Sequence, residues 1–226
     1  MKVFFLPQVS DRWWTVHRGI PSASNFDKII TPAKGDLSKQ AEDYIDELIS
    51  DVMCQTPNYF TERGHPINSY AIQRGVDLEP EARRWLAYDA GLDVTEVGFC
   101  VNEDFTLGCS PDGVIGLKFV EASTGDWCGE SYFDATAEGV AELKVPLLKT
   151  HAGYLRRGIL PVDYKPQAHG HLVVTGANFV EFVSYAREMP PLRIRVERDE
   201  YTDKVSKATK DFVGMYKAAL EKVNQR

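Results

Sequence analysis

Asp112 stands between Pro111 and Gly113, in a turn that closes the alternating apolar stretch LGCSPDGVIG. Thirty residues later VAELKVP carries Glu142 and Lys144 two positions apart. Side chains alternate along a strand, so that spacing puts the acid and the base on one face. Carboxylates converging from neighbouring strand ends repel each other unless a cation lies between them, and an all-oxygen donor set selects Mg2+ or Mn2+. An ammonium beside them could hold a water as nucleophile while the cation takes charge developing on phosphorus. The chemistry is that of phosphodiester hydrolysis. An acid and a lysine two apart also read as a salt bridge on a solvated strand face. The apolar neighbours Val140, Leu143 and Val145 count against a solvated face, and both readings stand at this point.

These residues need a scaffold. The chain has 226 residues and 43% apolar content, enough for one sizeable core, so the expectation is a single domain over residues 1–226. The net charge of -7 has the wrong sign for coating nucleic acid, whose affinity comes from Lys and Arg neutralising phosphates. Any DNA contact must therefore be a confined groove. Cys54, Cys100, Cys109 and Cys128 form no C-x-x-C pair and read as reduced thiols rather than a zinc or disulfide framework. No stretch is apolar enough to span a bilayer, and MKVFFLPQ reaches Pro7 without a signal-peptide core, so a cytoplasmic protein is expected.

Apolar periodicity supplies the elements. SKQAEDYIDELISDVM spaces Ala41, Tyr44, Ile45, Leu48, Ile49, Val52 and Met53 as one helical face, with Ser38 as its cap. A second helical region runs from about Asn68 to Asp89, where Ile72, Ala82, Trp85 and Leu86 share a face. Gly75 and Pro80 should break it or lie near its start, and Gly91 stops it. Val94 to Val101 and Phe105 to Ile115 read as two hairpin strands. Residues 121–133 read as a loop or small excursion, and VAELKVP as a core strand. DYKPQAHGHLVVTG is helical towards Gly176, NFVEFVSYAR and LRIRVER alternate as strands, and a helix presenting Val205, Ala208, Phe212, Met215, Tyr216, Ala219 and Leu220 closes the chain. Helices around a mixed sheet make the fold class α/β.

SPDG followed by ELKVP resembles the P-D…E-x-K core of the restriction-endonuclease-like nucleases. RGIPSAS, RGVDLEPEARRWL, CSPDG, ELKVP and YKPQAHGHLVVTG, in that order, resemble the phage lambda exonuclease and YqaJ-like recombination exonucleases. The resemblance implies a restriction-endonuclease-like core in which Asp112, Glu142, the Leu143 carbonyl and Glu79 hold two Mg2+ ions, with Mn2+ an alternative. Glu81 competes with Glu79 for its place. Lys144 matches the catalytic lysine and Gln167 the glutamine on the helix behind the site. A 5′-phosphate pocket is implied at Ser24 and Ser110 with two basic residues. His17 falls where arginine is expected, with Arg18 beside it, and Lys149 precedes Thr150, which replaces a second arginine; Arg18 and Lys149 are preferred. Hydroxyls and cations suit the extra acceptor oxygens of a terminal phosphate.

The implied activity is a Mg2+-dependent 5′-to-3′ exonuclease on double-stranded DNA that releases mononucleotides and leaves 3′ single-stranded tails for recombination. The implied assembly is a homotrimeric ring around duplex with a 5′-phosphorylated end, Lys34 and Lys39 touching the incoming DNA. The implied partner is a phage single-strand-annealing protein, and the implied location the cytoplasm of a bacterial host. Two other readings share the fold, a structure-specific or repair endonuclease and a catalytically silent DNA-binding or assembly protein. Trp127 and Tyr132, in the stretch between Asp112 and Glu142, read as a stacking surface or as ordinary packing, and Trp13 and Trp14 as core anchors. His151, His169 and His171 are expected to be structural or solvent-facing.

Overall fold

The fold is that of a computed structural model describing residues 1–8, 10–54 and 70–225. Two five-stranded sheets organise it. The first contains β1 (Lys2–Phe4), β3 (Phe99–Val101), β4 (Gly108–Cys109), β6 (Lys118–Trp127) and β7 (Glu130–Thr136), in the antiparallel order β4-β3-β1-β7-β6. The second contains β2 (Val94–Thr95), β5 (Gly113–Ile115), β8 (Gly139–Lys144), β9 (Phe179–Ser184) and β10 (Leu192–Glu197), in the order β10-β9-β8-β5-β2. Here β8 and β9 are parallel and the other pairs antiparallel. With the helices, the architecture is the expected mixed α/β.

The second sheet positions the chemistry. All of β8 but Lys144 is buried, so helices must cover both of its faces. A parallel partner also demands a crossover. It is made by α4 (Leu148–Arg157) and α5 (Lys165–Thr175). Helix α5 is buried almost all round, ends at Gly176 with φ of 75°, and brings Ala168 and Leu172 into the core with Val140 and Val180. At Gly170 a Cβ would lie 2.6 Å from the Phe26 ring, so glycine lets the short 3-10 helix Ala23–Lys28 press against α5. On the opposite face, α3 (Tyr70–Ala90) packs Ala82 and Leu86 against Ala141, Leu143 and Val183. The other described helices are α1 (Asp11–His17), α2 (Ala41–Met53) and α6 (Glu200–Asn224). The last starts on a capping box between Asp199 and Thr202 and packs Phe212 on Tyr44 of α2 at 5.4 Å.

Several elements depart from the sequence expectations. Helix α3 continues through Gly75 and Pro80; a proline inside a helix costs about 3 kcal/mol, and the apolar contacts of Ala82 and Leu86 offset it. Asn68 and the side chain of Ile72 lie outside the described residues. Ser38 precedes the helix rather than capping it: Gln40 is at the N-cap of α2, and the Ser38 hydroxyl accepts from the Gln40 amide. The two strands expected between Val94 and Ile115 are four short ones, with β3 and β4 in one sheet and β2 and β5 in the other. Residues 121–133 belong to a long hairpin, β6–β7, turning at Cys128 and Gly129, both with positive φ. Trp127 stacks on Phe105 at 4.5 Å and Tyr132 packs edge-on against Phe4, so both rings pack within the chain. Met215 is exposed while Thr209 joins the buried face of α6. The four cysteines are free thiols, and Cys100 and Cys109 face each other across β3 and β4. No described helix is long and apolar enough to cross a membrane.

Candidate active site

Register brings the first two acids together. Gly113 pairs with Ala141, so the Asp112 turn lies beside Glu142 at the end of β8. Three contacts fix that turn. The Asp112 amide donates to the Ala141 carbonyl at 3.0 Å, its carboxylate accepts from the Leu143 amide at 2.5 Å, and its own carbonyl accepts from Arg83 Nε at 2.6 Å. Glu142 is 1% exposed, with Lys144 Nζ on Oε1 and His171 Nε2 at 2.6 Å from Oε2. Burial would raise the Glu142 pKa, but the Lys144 charge and the His171 contact outweigh it and hold the carboxyl down at about 2. Burial likewise opposes the Lys144 charge, and Glu142 and Asp112 reverse the effect, so the lysine stays cationic well above its ordinary range. Asp112 goes the other way, pushed up by burial and then by Glu142. One buried corner thus forces acids into each other's fields.

Glu79 approaches from α3. A cleft of about 420 Å3 is lined by Gly75, Glu79, Leu143, Lys144, Val145, Pro146 and Tyr164. The Glu79 pKa is raised by burial, drawn back by Arg83, and raised again by Glu96 and Glu142. Glu81 faces elsewhere, towards Tyr185 and Arg187, which hold its pKa near 2. Lys144 also sits 5.1 Å from the centre of the Tyr164 ring. Gln167 is half-buried on α5, one turn before His171. The expectation for the histidines holds for two: His151 bonds Ser184 and the Pro190 carbonyl, and His169 bonds Thr202. His171 departs from it by touching Glu142, while its buried Nδ1 has no hydrogen-bond partner among the described residues. Its position four residues after Gln167, on the same helix face, was the available signal.

Asp112, Glu142, Glu79 and the Leu143 carbonyl offer only oxygens, the donor chemistry of Mg2+ or Mn2+, and the acids' mutual repulsion is what a divalent cation relieves. Among the described residues no three His, Cys, Asp or Glu side chains form a ready ligand cluster. Glu142 is instead held by Lys144 and His171.

The other candidates are more dispersed. Ser110 follows β4, and its hydroxyl accepts from Trp13 Nε1 at 3.2 Å, so Trp13, itself buried, also orients a candidate phosphate ligand. Ser24 is exposed on the short 3-10 helix, which is tied to β4 by the Ser22–Gly108 bridge. His17 stacks on Trp13 at 4.4 Å, and burial lowers its pKa to about 4, so at neutral pH it supplies no cation. Arg18 is exposed, with its charge felt at Cys128 on the tip of the β6–β7 hairpin. Lys149 is exposed in the first turn of α4. Lys34 and Lys39 are exposed in the loop before α2, where Lys204 of α6 donates to the Lys34 carbonyl.

The family model of the YqaJ-like viral recombinase domain matches residues 12–178, most of the chain and every residue named in the corner above. The chain belongs to this YqaJ-like family. The YqaJ-like match begins within α1 and ends just before β9. Two solved structures of an alkaline exonuclease, LHK-Exo from Laribacter hongkongensis, resemble it over 96% of this chain and 97% of theirs, both with a TM-score of 0.71. One is 26% identical, and the other, a complex with dAMP, 25%. A phage-related exonuclease from Haemophilus somnus 129PT shares the fold at 14% identity, with a TM-score of 0.57 over 90% of this chain and 96% of that one. A search of curated proteins finds no match.

Proposed function

We propose that this protein is a Mg2+-dependent exonuclease that degrades one strand of duplex DNA from a 5′-phosphorylated end, releasing mononucleotides and leaving a 3′ single-stranded tail for recombination. A nuclease role is supported by the YqaJ-like family and the alkaline exonuclease likeness. The observation that carries the finer reading is the corner at the end of β8, where Lys144 meets the buried Glu142 beside the Asp112 turn and itself lines the cleft that also contains Glu79.

Asp112, Glu142, the Leu143 carbonyl and Glu79 would hold two divalent cations, Mg2+ or Mn2+. Bound there, they supply Lewis acidity for the phosphoryl oxygens and the leaving oxygen. Glu142 and Asp112 favour the charged form of Lys144, which would orient the attacking water by donating to it. Gln167, one turn before His171 on α5, would assist from the helix behind the site. Water adds to phosphorus, the bond to the 3′ oxygen breaks, and that oxygen takes a proton. The nucleotide leaves with a 3′ hydroxyl, and the shortened strand keeps a new 5′-phosphate for the next cut. Ser24, Ser110, Arg18 and Lys149 receive that phosphate, and Trp13 holds the Ser110 hydroxyl in place.

The assembly suited to this cycle is a homotrimeric ring, which keeps an acidic protein on DNA by topology rather than by a wide basic surface. Lys34 and Lys39 contact the incoming duplex, a phage single-strand-annealing protein receives the tail, and the setting is the cytoplasm of a bacterial host. The test is linear duplex with a 5′-phosphate or a 5′-hydroxyl, in Mg2+ or EDTA. Metal-dependent release of mononucleotides, faster from the phosphorylated end, is the expected result. Equal cutting of closed circles would move the activity to an endonuclease, and retained DNA binding without cleavage would make the fold catalytically silent.

A further inference from the structure

Arg83 lies on α3 one turn beyond Glu79, and all three of its guanidinium nitrogens are occupied by protein. Nη2 donates to Glu79 Oε1 at 2.6 Å, Nε to the main-chain carbonyl of Asp112 at 2.6 Å, and Nη1 to Glu96 Oε2 at 2.7 Å. A helix ion pair four residues apart needs only the first of these. The second reaches another element, the turn that carries a candidate metal ligand. The third anchors the plane of the fork from the segment joining β2 and β3. The side chain is largely buried, whereas Glu96 is mostly exposed. With every nitrogen engaged, three of the five N–H donors are spent on protein acceptors and the fork is held in one orientation. Its rigid planar fork is suited to holding two acceptors at a set distance, which a lysine ammonium is not.

Among the described residues no other hydrogen bond joins their elements: Asp112 is fastened to β8 through Ala141 and Leu143, and Glu79 rides on α3. We propose that Arg83 is a positioning residue that sets the spacing between Glu79 and Asp112 and so determines the affinity of the site for its second divalent cation. The inference rests on the nuclease reading for its purpose, but it concerns metal uptake and is measurable without catalysis. Supporting partners of metal ligands commonly change affinity by about 10- to 100-fold when removed.

The experiment is calorimetric titration of Mn2+ into the full-length wild type, Arg83→Gln, Arg83→Lys, Glu79→Gln and the Arg83→Gln/Glu79→Gln double variant, with thermal melts of each. The expected result is an about 10- to 100-fold weaker second Mn2+ in Arg83→Gln. Arg83→Lys should lie between it and wild type, and the double variant should match Glu79→Gln, because Arg83 acts through Glu79. An Arg83→Gln isotherm superimposing on wild type would overturn the proposal, as would losses that multiply in the double variant. If Arg83→Gln does not fold, Arg83→Lys decides: wild-type affinity there shows that charge suffices without the fork, and overturns it. A wild-type protein that takes up Mn2+ but leaves DNA intact refutes the nuclease reading while the isotherms still decide the clamp. One that takes up no Mn2+ refutes the clamp.

Discussion

Lys144→Ala separates two roles for the same ammonium, because it should damage the fold as well as the chemistry. Glu142 is 1% exposed and has two close charged or ionisable partners, Lys144 and His171. Taking Lys144 away leaves a buried carboxylate with one of them. A hydrogen bond to a charged group contributes about 1.5–3 kcal/mol. The depression of the Glu142 pKa from 4.5 to about 2 sets a ceiling of about 3 kcal/mol, shared with His171. The two figures agree in size. For a chain of this length each kcal/mol shifts the melting temperature by about 2–4 °C, so Lys144→Ala should melt about 3–12 °C lower at pH 7. A folded-state pKa below the unfolded one means the contribution is full above 4.5 and vanishes as pH falls through about 2, so the gap between the proteins should close on acidification. Adding Glu142→Gln should recover most of the loss, since removing both partners of a buried pair costs less than removing one. The assay is thermal unfolding followed by circular dichroism in EDTA. A single variant melting within about 1 °C of wild type, or a double variant losing the sum of both, would refute the claim that Lys144 compensates Glu142.

His17 gives a pH dependence of a different origin. Its pKa is lowered by burial to about 4, so the unfolded chain takes a proton first. Stability should fall as pH drops from 6.5 towards 4, by up to about 3 kcal/mol, and His17→Phe should flatten that slope in urea titrations at pH 7 and pH 4.5. Glu81→Gln should leave Mg2+-dependent cleavage in place while lowering the melting temperature slightly, because Tyr185 and Arg187 hold that acid away from the cleft. Glu79→Gln should do the reverse, cutting the rate at least 10-fold in a nuclease assay and sparing the melt.

Legibility in the sequence followed the range of the interaction. The apolar run of β8, the two-residue spacing of Glu142 and Lys144, the glycine stop of α5 and the stripe of α6 are local patterns, and the structure has all four. The turn at Asp112 was equally visible, because proline and glycine bracket it. What escaped depends on distant partners. Strand β1 is three residues long and exists because β3 and β7 flank it. The division of residues 94–115 between two sheets has no signature in alternation alone. Pro80 within α3 reads as a breaker until Leu143 and Val183 supply the surface that α3 covers. His171 and Arg83 look like an ordinary core histidine and an ordinary helix arginine, and only the fold shows that one touches Glu142 and the other spans Glu79 and Asp112.

The parallel pairing of β8 with β9 bears on when, during synthesis, the protein becomes active. Parallel strands close only after their crossover is complete, so β8 cannot take its inner place until α4, α5 and residues 179–184 have all emerged from the ribosome. His171, which holds Glu142, also comes late in the chain. A nascent polypeptide carrying Asp112, Glu142 and Lys144 but ending before β9 therefore has the candidate residues without the buried corner that brings them together. On the proposed nuclease reading, the protein would thus stay inert through most of its own translation.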